Sequence, residues 1–330
     1  MKCAVIGAGA WGTALASLLA DNGHDTTIWC LEPDVAESIM HSSANPRFLS
    51  GATLNKTLRA TTDKATALEG ARVVLLAAPS HVLREVVSHA RAWAEPGATA
   101  VVATKGIERH TCALMTEVVE QELHGHAVVA LSGPSFAAEV ANRMPTAVVA
   151  ASAYAEAATL VQQTFSAPHL RVYSSDDVIG VELGGALKNV MAVAAGMSDG
   201  LGLGLNTRAA LITRGLAEIM RLGLAMGAHP QTFAGLAGLG DLVLTCTGML
   251  SRNRQVGLEI GKGATLPEVL AGRETVAEGV VTAESALELA TQRGVEMPIV
   301  EAVHRVLFEH QPARTALVEL MSRELRGERD

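Results

Sequence analysis

A chain of 330 residues, 49% hydrophobic and 18% charged, is long enough for about two domains and too apolar for global disorder. Its formal net charge of −8, with no block of five or more like charges, excludes non-specific nucleic-acid binding; a phosphate-bearing ligand would need a local cationic pocket. The cysteines Cys3, Cys30, Cys112 and Cys246 are scattered, with no CxxC pair and no Cys/His cluster at zinc spacing, so neither a metal nor a disulfide framework is expected.

In chain order, Lys2 to Ile6 reads as a short apolar strand and Thr13 to Leu19 as the start of an Ala-rich helix. Between them lies Gly7-Ala8-Gly9-Ala10-Trp11-Gly12, the dinucleotide-binding fingerprint in its strand–turn–helix setting. Gly7 serves the tight turn, Gly9 the close approach of backbone to a pyrophosphate, and Gly12 the packing of helix on strand. The helix N-terminus offers N–H groups and partial positive charge to phosphates. The chain opens on this strand, so no signal peptide is expected, and the plain reading of the thiols is a reducing compartment.

Asn22-Gly23 closes the first helix, with Gly23 at the C-cap, and Asp25 to Trp29 forms the second strand. Glu32 stands about 20 positions beyond the glycines, where an acid commonly binds the adenosine ribose. It equally suits the start of a helix over Pro33 to Met40, whose dipole favours early acids. At the ribose it would favour NAD over NADP, and no Arg or Lys is close in sequence to neutralise a 2′-phosphate. Asn45 to Thr57 reads as loop. Arg72 to Ala77, Thr99 to Ala103 and Ala127 to Leu131 are continuous apolar strands of the kind buried on both faces of a parallel sheet, with a helix over Val82 to Trp93. Their following turns, at Pro79, Lys105 and Gly133, share one sheet edge with Gly7, the edge where ligands sit in doubly wound sheets. Ala147 to Ala151 and Leu170 to Tyr173 add strands at the far side.

From Asp177 onward strand-like runs vanish and helical patterns dominate. The expected fold is α/β: a doubly wound, Rossmann-like domain over residues 1–180 and an all-α domain over 181–330. Helices are expected over Val178 to Gly196, Thr207 to Met226 (Asn206 as N-cap, Gly227 as C-cap), Pro230 to Ala237, Arg252 to Gly261, Thr265 to Leu270, Thr282 to Arg293, Pro298 to Leu307 and Ala313 to Leu325. Arg323 to Asp330 is a polar tail. The stretch Gly180 to Gly204 carries Glu182, Lys188 and Asp199 and reads as a buried helix rather than a membrane span.

Lys188 is the most telling polar residue. It sits in Gly184-Gly185-Ala186-Leu187-Lys188-Asn189, within the most apolar helix, where desolvation would lower its pKa into the range of acid–base work. Asp241, in Gly238-Leu239-Gly240-Asp241-Leu242, is its candidate partner, and Thr245 would share a helical face with Asp241. Lys105 at the sheet edge suits a substrate oxygen or phosphate. Ser251-Arg252-Asn253-Arg254 opens a helix and makes an anion site.

Taken together these motifs, with Ala78-Pro79-Ser80-His81, Ser132-Gly133-Pro134-Ser135-Phe136-Ala137, Ala195 to Gly200 and Asn206 to Glu218, resemble the NAD(P)-dependent glycerol-3-phosphate dehydrogenase family, its bacterial form most closely. The resemblance implies NAD or NADP as cofactor and hydride transfer between dihydroxyacetone phosphate and sn-glycerol 3-phosphate, for phospholipid synthesis. By motif position it implies Lys188 as proton acceptor, with Lys105 and Asp241 also in the catalytic set. Lys105, Gly133, Ser135, Lys188, Asp241, Ser251, Arg252 and Asn253 match substrate positions. The glycines, Ala10, Trp11, Leu31, Lys105, Ala137, Arg252, Val276 and Glu278 match cofactor positions. Leu31 departs from the basic or polar residue of many bacterial members, and Ser135 from the frequent threonine. A cytoplasmic homodimer joined through the helical domain is expected, with no nucleic-acid partner and no stable membrane insertion. The alternatives are a two-domain hydroxy-acid dehydrogenase of the 3-hydroxyisobutyrate type and a dinucleotide sensor without turnover.

Overall fold

The computed structural model of the chain describes residues 1–92, 94–272, 277–325 and 327. Strands and helices alternate in the first half: β1 (Lys2–Ile6), α1 (Ala10–Asp21), β2 (Asp25–Trp29), α2 (Pro33–Ser42), β3 (Arg59–Thr61), α3 (Lys64–Leu68), β4 (Val73–Leu76), α4 (Leu83–Ala90), β5 (Thr99–Val102), α5 (Met115–Glu122), β6 (Val128–Ser132), α6 (Ala137–Ala141), β7 (Thr146–Ala151), α7 (Ala155–Phe165) and β8 (Leu170–Ser175). Helices alone follow: α8 (Val178–Gly200), α9 (Gly204–Ala225), α10 (Pro230–Phe233), α11 (Asp241–Thr247), α12 (Arg252–Gly261), α13 (Leu266–Leu270), α14 (Glu278–Gln292), α15 (Pro298–Phe308) and α16 (Ala313–Met321).

The eight strands form one sheet in the order β3-β2-β1-β4-β5-β6-β7-β8. Neighbours from β3 to β6 are parallel; β7 runs antiparallel to β6, and β8 parallel to β7. The central strands are apolar on both faces because both are covered. One face packs Val5, Leu75 and Val101 under Leu15, Leu19, Ile39 and Phe165; the other packs Ile6, Leu76 and Val102 under Leu83, Val87 and Val118. Strand order reverses between β1 and β4, which opens the crevice where ligands sit in this architecture.

The helical half is built on α8, buried without interruption from Gly180 to Ser198. Its Met191 and Val193 share a core with Leu242, Val256, Ala283 and Ala286. Facing glycines let α8 and α12 approach: a Cβ on Gly257 would overlap the Val193 carbonyl, and one on Gly196 the Arg254 carbonyl. Length and composition would let α8 cross a membrane, but 89% of its most apolar window is covered by the protein itself.

Several expectations are corrected. Asn206 lies inside α9, which starts at Gly204 with Leu203 as cap. The helix expected over Pro230 to Ala237 ends at Phe233, and a π-helical turn over Leu236–Gly240 leads into α11. Backbone crowding explains that irregular turn: a Cβ on Gly238 would overlap the Phe233 backbone. Helix α14 starts at Glu278, a turn before the expected Thr282. The three-residue β3 is too short to carry a period and was missed. Trp93, at the expected end of a helix, lies outside the described residues, as does the tail from residue 328.

Candidate active site

The turn after β1 accounts for two of the three glycines within the protein. Gly7 has φ +114, and a Cβ there would stand 3.0 Å from the Ala77 carbonyl carbon at the end of β4. A Cβ on Gly12 would overlap the Gly7 carbonyl, so α1 starts hard against the turn itself. Gly9 differs: a Cβ there meets no protein atom within 4 Å, and the protein alone does not require this glycine. Beside it, the Trp11 indole N–H is buried and has no partner among the described residues. An unobstructed backbone, an orphan donor and a helix N-terminus fit a dinucleotide pyrophosphate.

Across the crevice, Lys188 sits mid-way along α8, only 7% exposed. Its ammonium donates to Asp241 Oδ1 and, at 2.9 Å, to Thr245 Oγ1. Asp241 opens α11 and is fully buried. Its Oδ2 accepts from Lys105 Nζ at 2.7 Å, and Lys105 also donates to the Gly133 carbonyl at 3.0 Å. The Ser135 hydroxyl donates to that same carbonyl at 3.1 Å. One carboxylate on the helical half thus binds an ammonium from each half. The Thr245 hydroxyl closes the group by donating to the Asp241 carbonyl at 2.6 Å. Burial pushes the Lys188 pKa down from 10.5 to about 8; the Asp241 carboxylate opposes this and the nearby Lys105 ammonium adds to it. The glycines before Lys188 make room for protein, with Gly184 packed on the Ala237–Gly238 backbone and Gly185 on Ser132.

The cluster that opens α12 divides its labour. Ser251 caps the helix, accepting from Arg254 N at 3.2 Å. Arg254 turns inward to Asp199, which also binds Arg208. Asn253 is spoken for on both sides of its amide, donating to Asn189 Oδ1 at 2.9 Å and accepting from Gly279 N at 2.9 Å. Arg252 alone is left exposed, with no ion pair among the described residues. Its guanidinium pKa is nonetheless lowered by desolvation, opposed by Glu278.

Glu278 begins α14 and reaches the other half, accepting from Ser80 N at 3.2 Å and Ser80 Oγ at 2.5 Å, while burial pushes its pKa up. Ala10 and Trp11 open α1 and Ala137 opens α6, all half-buried. Leu31 is 71% exposed beyond β2. Glu32 is the N-cap of α2 but makes no capping bond with its side chain, so its carboxylate stays available. No basic residue is near in sequence, but the chain after α2 folds back and brings Arg47 Nη1 to 3.6 Å from Asp34. Val276 lies outside the described residues. Sequence reasoning gave no role to Ser80, Asn189 or Glu182, whose partners Glu278, Asn253 and Thr116 are too distant in the chain to leave a local pattern, nor to Ser132.

Two family models cover most of the chain: the N-terminus of NAD-dependent glycerol-3-phosphate dehydrogenase matches residues 2–158 and its C-terminus residues 177–318. The chain is 56% identical over 332 residues to a Geobacter metallireducens protein named glycerol-3-phosphate dehydrogenase [NAD(P)+], covering 99% of each, and 51% identical to one of the same name from Myxococcus xanthus, again covering 99% of each. Among solved structures, glycerol-3-phosphate dehydrogenase from Coxiella burnetii superposes with a TM-score of 0.94 at 40% identity, over 98% of this chain and 99% of that one.

Proposed function

Since the chain belongs to the NAD-dependent glycerol-3-phosphate dehydrogenase family, we propose that the Lys188–Asp241–Lys105 group is its catalytic centre, interconverting dihydroxyacetone phosphate and sn-glycerol 3-phosphate. The glycine turn after β1 would hold NAD or NADP, which would supply or take up the hydride at carbon 2. The observation that carries the reading is the single buried carboxylate holding one lysine from each half at the sheet edge. Lys188, as ammonium, donates a proton to the carbon-2 oxygen in reduction; as amine it takes the hydroxyl proton in oxidation. Asp241 and Thr245 fix the direction of its remaining N–H bond. Lys105, anchored on Gly133 beside Ser135, meets substrate and cofactor together. Arg252 binds the phosphate, so that binding at that end orients the reacting carbon. Ser251 and Asn253 contribute through the hydroxyl hydrogen and second amide hydrogen that their structural bonds leave over. Gly7, Gly9, Ala10, Trp11 and Gly12 would hold the pyrophosphate, Leu31 would meet the adenosine, and Ala137 and Glu278 would line the remaining cofactor path.

The product serves phospholipid synthesis, and the buried free thiols suit a reducing compartment, from which we infer the cytoplasm. A homodimer through the helical half is supported by its exposed Leu205, Met249 and Leu250. In this reading the dinucleotide-binding domain ends at residue 180 and the substrate-binding helical domain follows. The deciding experiment mixes the protein with NADH and dihydroxyacetone phosphate. Loss of NADH absorbance that needs the phosphorylated ketone is expected; no loss with either NADH or NADPH overturns the assignment, and equal loss with an unphosphorylated hydroxy acid's keto form favours the alternative dehydrogenase.

A further inference from the structure

Behind the reacting group lies a second polar cluster that the mechanism above does not use. Glu182 sits on α8 six residues before Lys188 and is 7% exposed. Its carboxyl crosses to the sheet half, where it accepts from Thr116 N at 2.9 Å and from the Thr116 hydroxyl at the start of α5. Among the described residues no cation pairs with it; burial pushes its pKa up to about 7, with Glu117 and Glu120 adding to the rise. Ser132 ends β6 and is 5% exposed, and its hydroxyl has no partner among the described residues. It presses on α8 at Gly185, where a Cβ would stand 2.5 Å from Ser132 Oγ and 3.6 Å from Lys105 Cδ. Between these groups is a cavity of about 10 Å³ lined by Thr104, Lys105, Gly106, Ser132 and Glu182 among others.

That volume is about what one water needs, and a buried water needs two to four polar partners. The wall is polar where it matters: a buried hydroxyl without a partner and a carboxyl with lone pairs to spare. An unpaired hydroxyl in such a place is costly, whereas a bridging water satisfies it. Thr104 cannot serve it by donating, since its hydroxyl is committed to the Ala78 carbonyl at 2.7 Å.

We propose that this cavity binds one water molecule bridging the Ser132 hydroxyl and the Glu182 carboxyl, and that Ser132 and Glu182 are thereby positioning residues for Lys105. The aliphatic stem of Lys105 lies against the same wall, so the water and its two holders form the bed on which that side chain is set. The ammonium itself is steered by Asp241 and Gly133; the bed fixes how far the chain carrying it can shift. The positioning half of the inference rests on the proposed reaction, whereas the water site does not.

The test pairs diffraction with kinetics. A high-resolution crystal structure of the wild-type protein is expected to show a water within hydrogen-bond distance of both Ser132 Oγ and Glu182, lost in S132A. In dihydroxyacetone phosphate reduction, S132A is expected to lower kcat about tenfold while KM changes less than about twofold, since misplacement of a reacting group costs rate rather than uniform binding. If S132A does not fold, E182Q, which keeps the size of the side chain, carries the same measurements. Absence of the water overturns the site. A wild-type kcat in the variant, or a rise in KM alone, overturns the positioning role. A wild-type protein that holds the water but never oxidises NADH refutes the proposed reaction and leaves the site standing.

Discussion

The proposed reaction end and the proposed adenosine end of the crevice are built in opposite ways. At the reaction end, Lys188, Lys105, Asp241 and Thr245 are all joined by hydrogen bonds, and the carboxylate at their centre is wholly buried. At the adenosine end, Leu31 stands in solvent and Glu32 makes no capping bond. Proton transfer needs groups fixed before the substrate arrives, so the protein supplies every partner. Recognition of a ribose needs only free acceptors, and leaving a carboxylate unpartnered on a surface costs little. On the proposed roles, rate depends on a buried group that both halves build together, and cofactor choice on the rim of the sheet.

The sharpest way to break this contrast is at Lys188. K188A should lower kcat for dihydroxyacetone phosphate reduction by about 10²-fold or more; turnover near wild type would show that another group carries the proton. Next in size is Arg252. R252A should raise KM for the phosphorylated substrate by about one to two orders of magnitude, the worth of a charged hydrogen bond or two, with a smaller effect on dihydroxyacetone. Equal damage with both substrates would move the phosphate elsewhere.

The pH profile sharpens the same end. Burial lowers Lys188 to about 8, so its ammonium is the majority form below that pH and the amine above it. The reduction rate should therefore fall about tenfold per unit above the pKa, and the oxidation rate should rise up to it and level off. Stability carries a related signature: between about 8 and 10.5 the unfolded chain holds a proton that folded Lys188 has lost, so this group's contribution to stability rises with pH across that window. K188M, titrated by thermal melting beside the wild type, should remove that rise.

The smallest effects are expected at the rim. E32Q should change the ratio of NADPH to NADH efficiency by a few-fold in favour of NADPH, since a half-buried charge that water still reaches is worth little. An effect as large as that of R252A would mean that the rim is as rigidly built as the centre.

The sequence exposes what is local. The turn at Gly7 to Gly12, the apolar central strands and the helix around Lys188 all carry their pattern within a few residues. Asp241 could be matched to Lys188 because a buried lysine demands a carboxylate, and Thr245 followed from helical spacing. What stayed hidden is the sharing: Lys105 reaches Asp241 across 136 residues, Glu182 reaches Thr116 across 66, and Glu278 reaches Ser80 across 198. Such bonds follow from how the two halves meet, which no local period encodes. Asn253 shows the same limit from the other side: its carbonyl oxygen and one N–H are spent on Gly279 and Asn189, structural bonds that no local pattern announces.

Two ammonium groups lean on one carboxylate, which can cancel only one of them. Below about pH 8, where Lys188 keeps its proton, this group therefore carries one surplus positive charge before any substrate enters. Simple oxyanions such as sulfate or inorganic phosphate should exploit that imbalance as competitive inhibitors, and raising the ionic strength should slow capture of the doubly charged substrate more than it slows turnover once the enzyme is saturated.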